Sequence, residues 1–200
     1  MSKAKIAVLV SGGGTNLQAL IDDQSEGIIT SGEIKLVIAN NANAYALERA
    51  AKAGIQSAVV LKKEWGGQAG FEQRIKDLLT EYGIDLIVLA GFMSILSEDF
   101  TSSYPKRILN VHPSLIPSFC GEGFYGLRVH EEALRYGVKV TGATVHFVNE
   151  IPDGGEIIFQ KAVEIEEGDT PEILQRRVME QAEWKILPAA VEKVSKQLIP

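Results

Sequence analysis

The chain has 200 residues, 46% of them hydrophobic and 23% charged, with 20 Lys and Arg against 26 Asp and Glu, a net charge of −6 and a single cysteine. That apolar content excludes disorder as the main state, and the lone Cys120 excludes a disulfide scaffold. The acidic balance disfavours a nucleic-acid partner, because any polyanion would need a local basic site. One domain over residues 1–200 is expected at this length. The longest apolar run, Leu86 to Leu96, is well short of the ~20 residues a membrane-spanning helix needs. Met1-Ser2-Lys3-Ala4-Lys5 leads into Ile6 without a small-residue cleavage site. The expectation is a cytoplasmic globular protein with no membrane partner.

In chain order, continuous apolar runs alternate with helical stretches. Residues 6–10 form the first run and lead through Ser11-Gly12-Gly13-Gly14-Thr15-Asn16 into a helical pattern over 15–29. Runs at 34–39, 57–61, 85–90 and 107–111 follow, with helical spacing over 44–53 and 71–82 and with Gly54 and Gly83 as helix stops. Runs that are continuous rather than alternating belong to strands covered on both faces. Strand alternating with helix predicts an α/β fold, doubly wound around a mainly parallel sheet, with a Rossmann-like N-terminal half. Further on, 138–148 and 156–165 read as an antiparallel hairpin joined through Pro152-Asp153-Gly154-Gly155. Thr170 then caps a long C-terminal helix that Pro171 enters, and Pro188 is expected to kink or restart it.

Four segments carry possible chemistry. The loop 11–16 joins the first strand to the first helix, where three glycines and free helix N–H groups suit a phosphate; a tight turn capped by Thr15 explains the same residues. Its spacing is neither a P-loop nor GxGxxG, which argues against a nicotinamide cofactor. Asn110 and His112 share one face at the end of the fifth strand, where an amide donor beside an imidazole suits a developing oxyanion. A histidine satisfied within a local turn is the bland alternative. Asp153 is either a turn former or a carboxylate that pairs with His112 and raises its pKa. His146 reads as a sheet-face histidine rather than a catalytic one. The apolar stretch 90–96 either lines a slot for a flat ring or simply packs in the core. The histidines at 112, 130 and 146 have no metal-ligand spacing and Cys120 has no partner, so no metal is expected.

Taken together and in this order, SGGGTNL (11–17), AGFMSIL (90–96), LNVHPSLIP (109–117) and GATVHFVNEIPDGG (142–155) resemble the phosphoribosylglycinamide formyltransferase family of the folate-dependent formyltransferases. AEWKILP (182–188) is similar to the family's helix that carries a Glu before an aliphatic-Pro stretch. The resemblance implies formyl transfer from 10-formyltetrahydrofolate, as co-substrate, to the amine of glycinamide ribonucleotide in purine biosynthesis. It implies a catalytic trio of Asn110, His112 and Asp153. It implies that Gly14, Thr15, Asn16 and Glu183 hold the ribonucleotide. Met93, Ser94, Ile95 and Leu96, with Asn110 and Asp153, would flank the folate. A monomer or weak homodimer fits this reading. The chain departs from the family pattern at Gln68, Ser94, Pro152, Trp184 and the loop 118–126.

Two relatives and one other class are the rivals. Methionyl-tRNA formyltransferase needs an added domain and a basic surface. Formyltetrahydrofolate deformylase, a hydrolase, resembles this chain only after a regulatory domain, and it usually reads His-His-Ser where this sequence has His112-Pro113-Ser114. A noncatalytic folate- or nucleotide-binding module on the same fold is the third alternative, since fold alone does not fix function.

Overall fold

A computed structural model describes residues 2–199. The parallel strands are β1 (Ala4–Val10), β2 (Gly32–Ala39), β3 (Gln56–Val59), β4 (Leu86–Leu89) and β5 (Ile108–His112). Among them lie α1 (Thr15–Ser25), α2 (Ala46–Lys52), α3 (Gln68–Glu81) and α4 (Glu98–Ser102). Then come α5 (Leu127–Tyr136), β6 (Val140–Phe147), β7 (Ile157–Glu164), α6 (Pro171–Val178) and α7 (Trp184–Leu198). The sheet order is β3-β2-β1-β4-β5-β6-β7. β6 runs antiparallel to both β5 and β7, as the hairpin pattern predicts.

Two cores, one on each face of the sheet, explain the continuous apolar runs, except at β3, an edge strand whose Gln56, Ser57 and Val59 are exposed rather than covered on both faces. Along β1, Ile6, Val8 and Val10 pack with Leu17 and Leu20 of α1 and with Leu187 and Val191 of α7. The alternate residues Ala7 and Leu9 face Phe71, Ile75 and Leu78 of α3 and Phe100 of α4. Strand side chains alternate between faces, so a strand with helices on both sides must be apolar at every position.

Several boundaries differ from the sequence expectation. The first helix stops at Ser25 rather than 29, because Gly27 turns left-handed at φ 75° and Ile28 and Ile29 both bond back to the Asp23 carbonyl. α5 is an addition to the expected elements; it is delimited by Gly126 and by Gly137, the latter a left-handed C-cap at φ 83°. Thr170 caps α6 as expected, accepting from the Ile173 N–H. The C-terminal helix is interrupted ahead of Pro188, by a widened π turn over Met179–Glu183. α-Helical bonding restarts at Trp184, whose carbonyl is the one that an N–H at 188 would have met. The proline therefore sits one turn inside the restarted helix, and Glu183 sits on the widened turn.

Candidate active site

The sheet changes direction at β1, with β2 on one side and β4 on the other, and ligands of such folds bind beyond the carboxyl ends of the strands there. A cavity of about 550 Å³ occupies that place, walled by Asn16, the 91–95 loop, Asn110, His112, the 121–126 loop, Asp153 and Glu183. A smaller one of about 120 Å³, with Leu89, Phe92, Leu96, His146 and Val148 in its wall, adjoins it. Asn110 and Asp153 line both.

The loop after β1 is built to present N–H groups. Its carbonyls turn away to α2: Gly12 O accepts from the Ala46 N–H at 3.1 Å and Gly13 O from Arg49 Nε at 2.8 Å. Gly14, at φ 72°, is the N-cap of α1, and a Cβ there would fall 2.7 Å from that of Ala46. No side chain caps this helix; the Thr15 hydroxyl points to Met179 Sδ instead, so the capped-turn alternative does not hold. Of the three loop residues assigned to the ribonucleotide, Asn16 lines the cavity, Thr15 lines a separate groove with Arg49 and Lys185, and Gly14 lines neither.

Asn16 reaches the opposite end of the chain. Its Nδ2 donates to Glu183 Oε2 at 2.7 Å, and both residues are buried. Burial pushes the Glu183 carboxyl up to about 7, partly offset by the Asn16 amide. An unfolded glutamate titrates near ~4.3, so between that value and 7 only the folded state keeps this proton, and stability falls as pH rises through the window. Glu183→Gln is expected to flatten the thermal stability profile between pH 5 and 7. Parallel wild-type and variant Tm curves over that range would refute this.

The 91–97 segment is pinned at four points. Met93 N donates to Ser11 Oγ, Asn40 Nδ2 to Ser94 Oγ, Gln68 Nε2 to Ile95 O, and Ser97 N to the buried Glu72. Gln68 is thus spent on bracing this loop. Leu96 is buried in the core below, whereas Met93 and Ile95 are exposed at the cavity mouth.

Asn110, His112 and Asp153 do converge. Asp153 takes a left-handed conformation, φ 55°, in the turn after β6 and also sends its carboxylate back over the sheet toward His112, so it is at once a turn former and a partner of that histidine. Its Oδ2 lies 3.5 Å from His112 Nδ1 and accepts from the Gly121 N–H at 2.8 Å. Its Oδ1 lies 3.4 Å from Asn110 Nδ2 and 3.6 Å from His146 Nε2. His112 Nε2–H donates to the Phe119 carbonyl at 2.8 Å, so both of its nitrogens are engaged.

The expected rise in the His112 pKa is corrected. Burial lowers it, with His146 adding to the effect, and this outweighs the opposing pull of Asp153 and the Phe119 carbonyl. Burial also pushes the Asp153 carboxyl up, but the His146 ring, the His112 charge and the Gly121 N–H together hold it below the usual carboxylate range.

Sequence reasoning sets His146 aside, yet it belongs to this network. Its Nδ1–H donates to the Phe147 carbonyl at 2.8 Å, leaving Nε2 facing Asn110 Nδ2 at 3.2 Å. The signal for it is strand register: His146 pairs directly with Asn110 across β5 and β6, beside an irregularity in the β6–β7 ladder. His130, on α5, escapes sequence reasoning together with its helix. It is fully buried, and burial, with His112 contributing, lowers it to about 4. No cluster of three or more potential metal-ligating His, Cys, Asp or Glu side chains occurs among the described residues.

Known proteins share this fold. The model of the formyl transferase family matches residues 4–191. The chain belongs to the formyl transferase family. The phosphoribosylglycinamide formyltransferase of Haemophilus influenzae is 44% identical over 188 residues, covering 94% of this chain and 85% of that protein. Glycinamide ribonucleotide transformylase 1 from Symbiobacterium toebii superposes with a TM-score of 0.91 at 42% identity, covering 98% of this chain and 89% of that one. Within the family, the chain groups with the phosphoribosylglycinamide formyltransferases. The trifunctional purine biosynthetic protein adenosine-3 of Homo sapiens is 47% identical over 193 residues; the match takes in 96% of this chain but spans only 18% of the longer protein.

Proposed function

We propose that the protein transfers the formyl group of 10-formyltetrahydrofolate to the amine of glycinamide ribonucleotide, giving formylglycinamide ribonucleotide and tetrahydrofolate. The observation that carries this reading is the meeting of two cavities at Asn110 and Asp153. A reaction between two bound molecules needs such a shared wall, with polar groups at the junction. The larger cavity, bordered by Asn16 and Glu183, takes the ribonucleotide, whose phosphate would extend past Asn16, beyond the cavity wall, to the N–H groups of Gly14 and Thr15 at the head of α1. The smaller one, between Phe92, Ser94, Ile95, Leu96 and Val148, takes the flat ring of the folate, with Met93 beside it at the mouth of the larger cavity.

Attack of the amine on the formyl carbon places negative charge on the formyl oxygen, and N10 of the folate then leaves with a proton. Asn110 Nδ2–H and His112 N–H donate to that oxygen. His112 is free to do so once the Phe119 carbonyl releases Nε2, so the substrate oxygen competes with that carbonyl for one proton. Asp153 holds both donors in place and favours the charged imidazolium as charge develops. We read the active unit as a single cytoplasmic domain over 1–200, a monomer or weak homodimer.

The test is turnover of 10-formyltetrahydrofolate with and without glycinamide ribonucleotide. Release of tetrahydrofolate that requires the ribonucleotide is expected. Equal rates in its absence mark a hydrolase, and no turnover in either arm marks a binding module.

A further inference from the structure

His130 is the polar residue that the mechanism leaves unused. It is fully buried one turn into α5, and neither Nδ1 nor Nε2 has a hydrogen-bond partner among the described residues. Buried polar atoms are almost always paired, so an imidazole with both nitrogens idle calls for a reason. A neutral imidazole carries one N–H donor and one lone-pair acceptor, and a phenyl ring of similar shape would avoid the cost of leaving both unmet. The free protein therefore gains nothing from imidazole at this position.

Location narrows what would meet it. His130 lines the larger cavity, shared with Asn16, Gln175 and Glu183, and is absent from the wall of the smaller one. Its neighbour is His112, at the reacting end, rather than the N–H loop at 12–16. We propose that His130 hydrogen-bonds the amide of the glycinamide portion of the ribonucleotide and is a specificity-determining residue for that substrate. An amide offers one carbonyl and one N–H, the complement of what a neutral imidazole presents. Both nitrogens are buried although the residue borders the cavity, so contact requires the 121–126 wall to yield. Gly121, Gly123 and Gly126 all sit at positive φ there.

The inference rests on the formyltransferase reading and is tested with His130→Phe and His130→Asn. His130→Phe is expected to raise KM for glycinamide ribonucleotide at least tenfold, which is ~1.4 kcal/mol. KM for 10-formyltetrahydrofolate and Kd for ribose 5-phosphate, which lacks the amide, should each stay within twofold. Tm should hold or rise, because two unmet polar atoms are removed. His130→Asn should recover most of the lost affinity. An unchanged KM for the ribonucleotide would overturn the proposal. So would equal weakening of ribose 5-phosphate, or a fall in Tm that tracks the fall in activity, since both mark a structural role. Wild-type turnover that ignores the ribonucleotide would instead remove the formyltransferase reading itself, and the proposal with it.

Discussion

His112→Ala is expected to lower kcat by at least ~100-fold with the fold intact, as is Asn110→Ala, since one preorganised oxyanion donor is typically worth ~3–4 kcal/mol of barrier. The folded state tolerates the first change for a reason visible in the site. Burial already disfavours the charged form of His112, and alanine gives up only one hydrogen bond to the Phe119 carbonyl and a 3.5 Å approach to Asp153. In the proposed mechanism both donors serve the same oxygen, so the double variant should lose far less than the product of the single losses. Steady-state kinetics at saturating concentrations of both substrates, beside thermal unfolding of each variant, decide the matter. Near-normal turnover in either purified single variant would remove it from the mechanism.

Gly155→Ala should cost stability and activity together. A Cβ on Gly155 would stand 1.7 Å from the Phe147 carbonyl oxygen and 2.7 Å from its carbon. No rotamer relieves a clash with backbone, so the two segments must part where Phe147 N donates to the Glu156 carbonyl at 2.9 Å. Overpacking of this kind costs about 2–4 kcal/mol. In a chain of this size that is a fall in Tm of ~5–15 °C. Asp153 lies two residues away in the same turn, and displacing a positioned group by ~1 Å costs up to ~100-fold in rate. Calorimetry and kcat on one preparation test both halves; an unchanged Tm would mean the turn absorbs a methyl group without moving.

The parts of the fold legible in the sequence are those that a single physical demand fixes. The runs at 6–10 and 86–90 are apolar at every position because helices cover both faces of these inner strands. α5 is illegible because its short apolar stripe, Val129 and Ala133, follows directly on a loop with three glycines, which masks the start of the helix. The widened turn at 179–183 has no local signature; it is visible only in how the helix meets Pro188. The trio Asn110, His112 and Asp153 is readable because strand alternation and a Pro-Asp-Gly-Gly turn aim them at one place. His146 and His130 are not, since their roles depend on cross-strand register and on burial. The direction of the His112 pKa is hidden for the same reason: the attraction to Asp153 can be inferred from residue types, but the desolvation that exceeds it cannot.

The hydrogen bond between Asn16 and Glu183 joins residues 167 apart in the chain. A second tie binds Thr30 and Ser31 to Glu192. The stretch that closes the far wall of the cavity, around Glu183, leads directly into the helix whose Leu187 and Val191 cover the apolar underside of β1 and β2. Loosening that helix would therefore uncover the core and open the cavity in the same event.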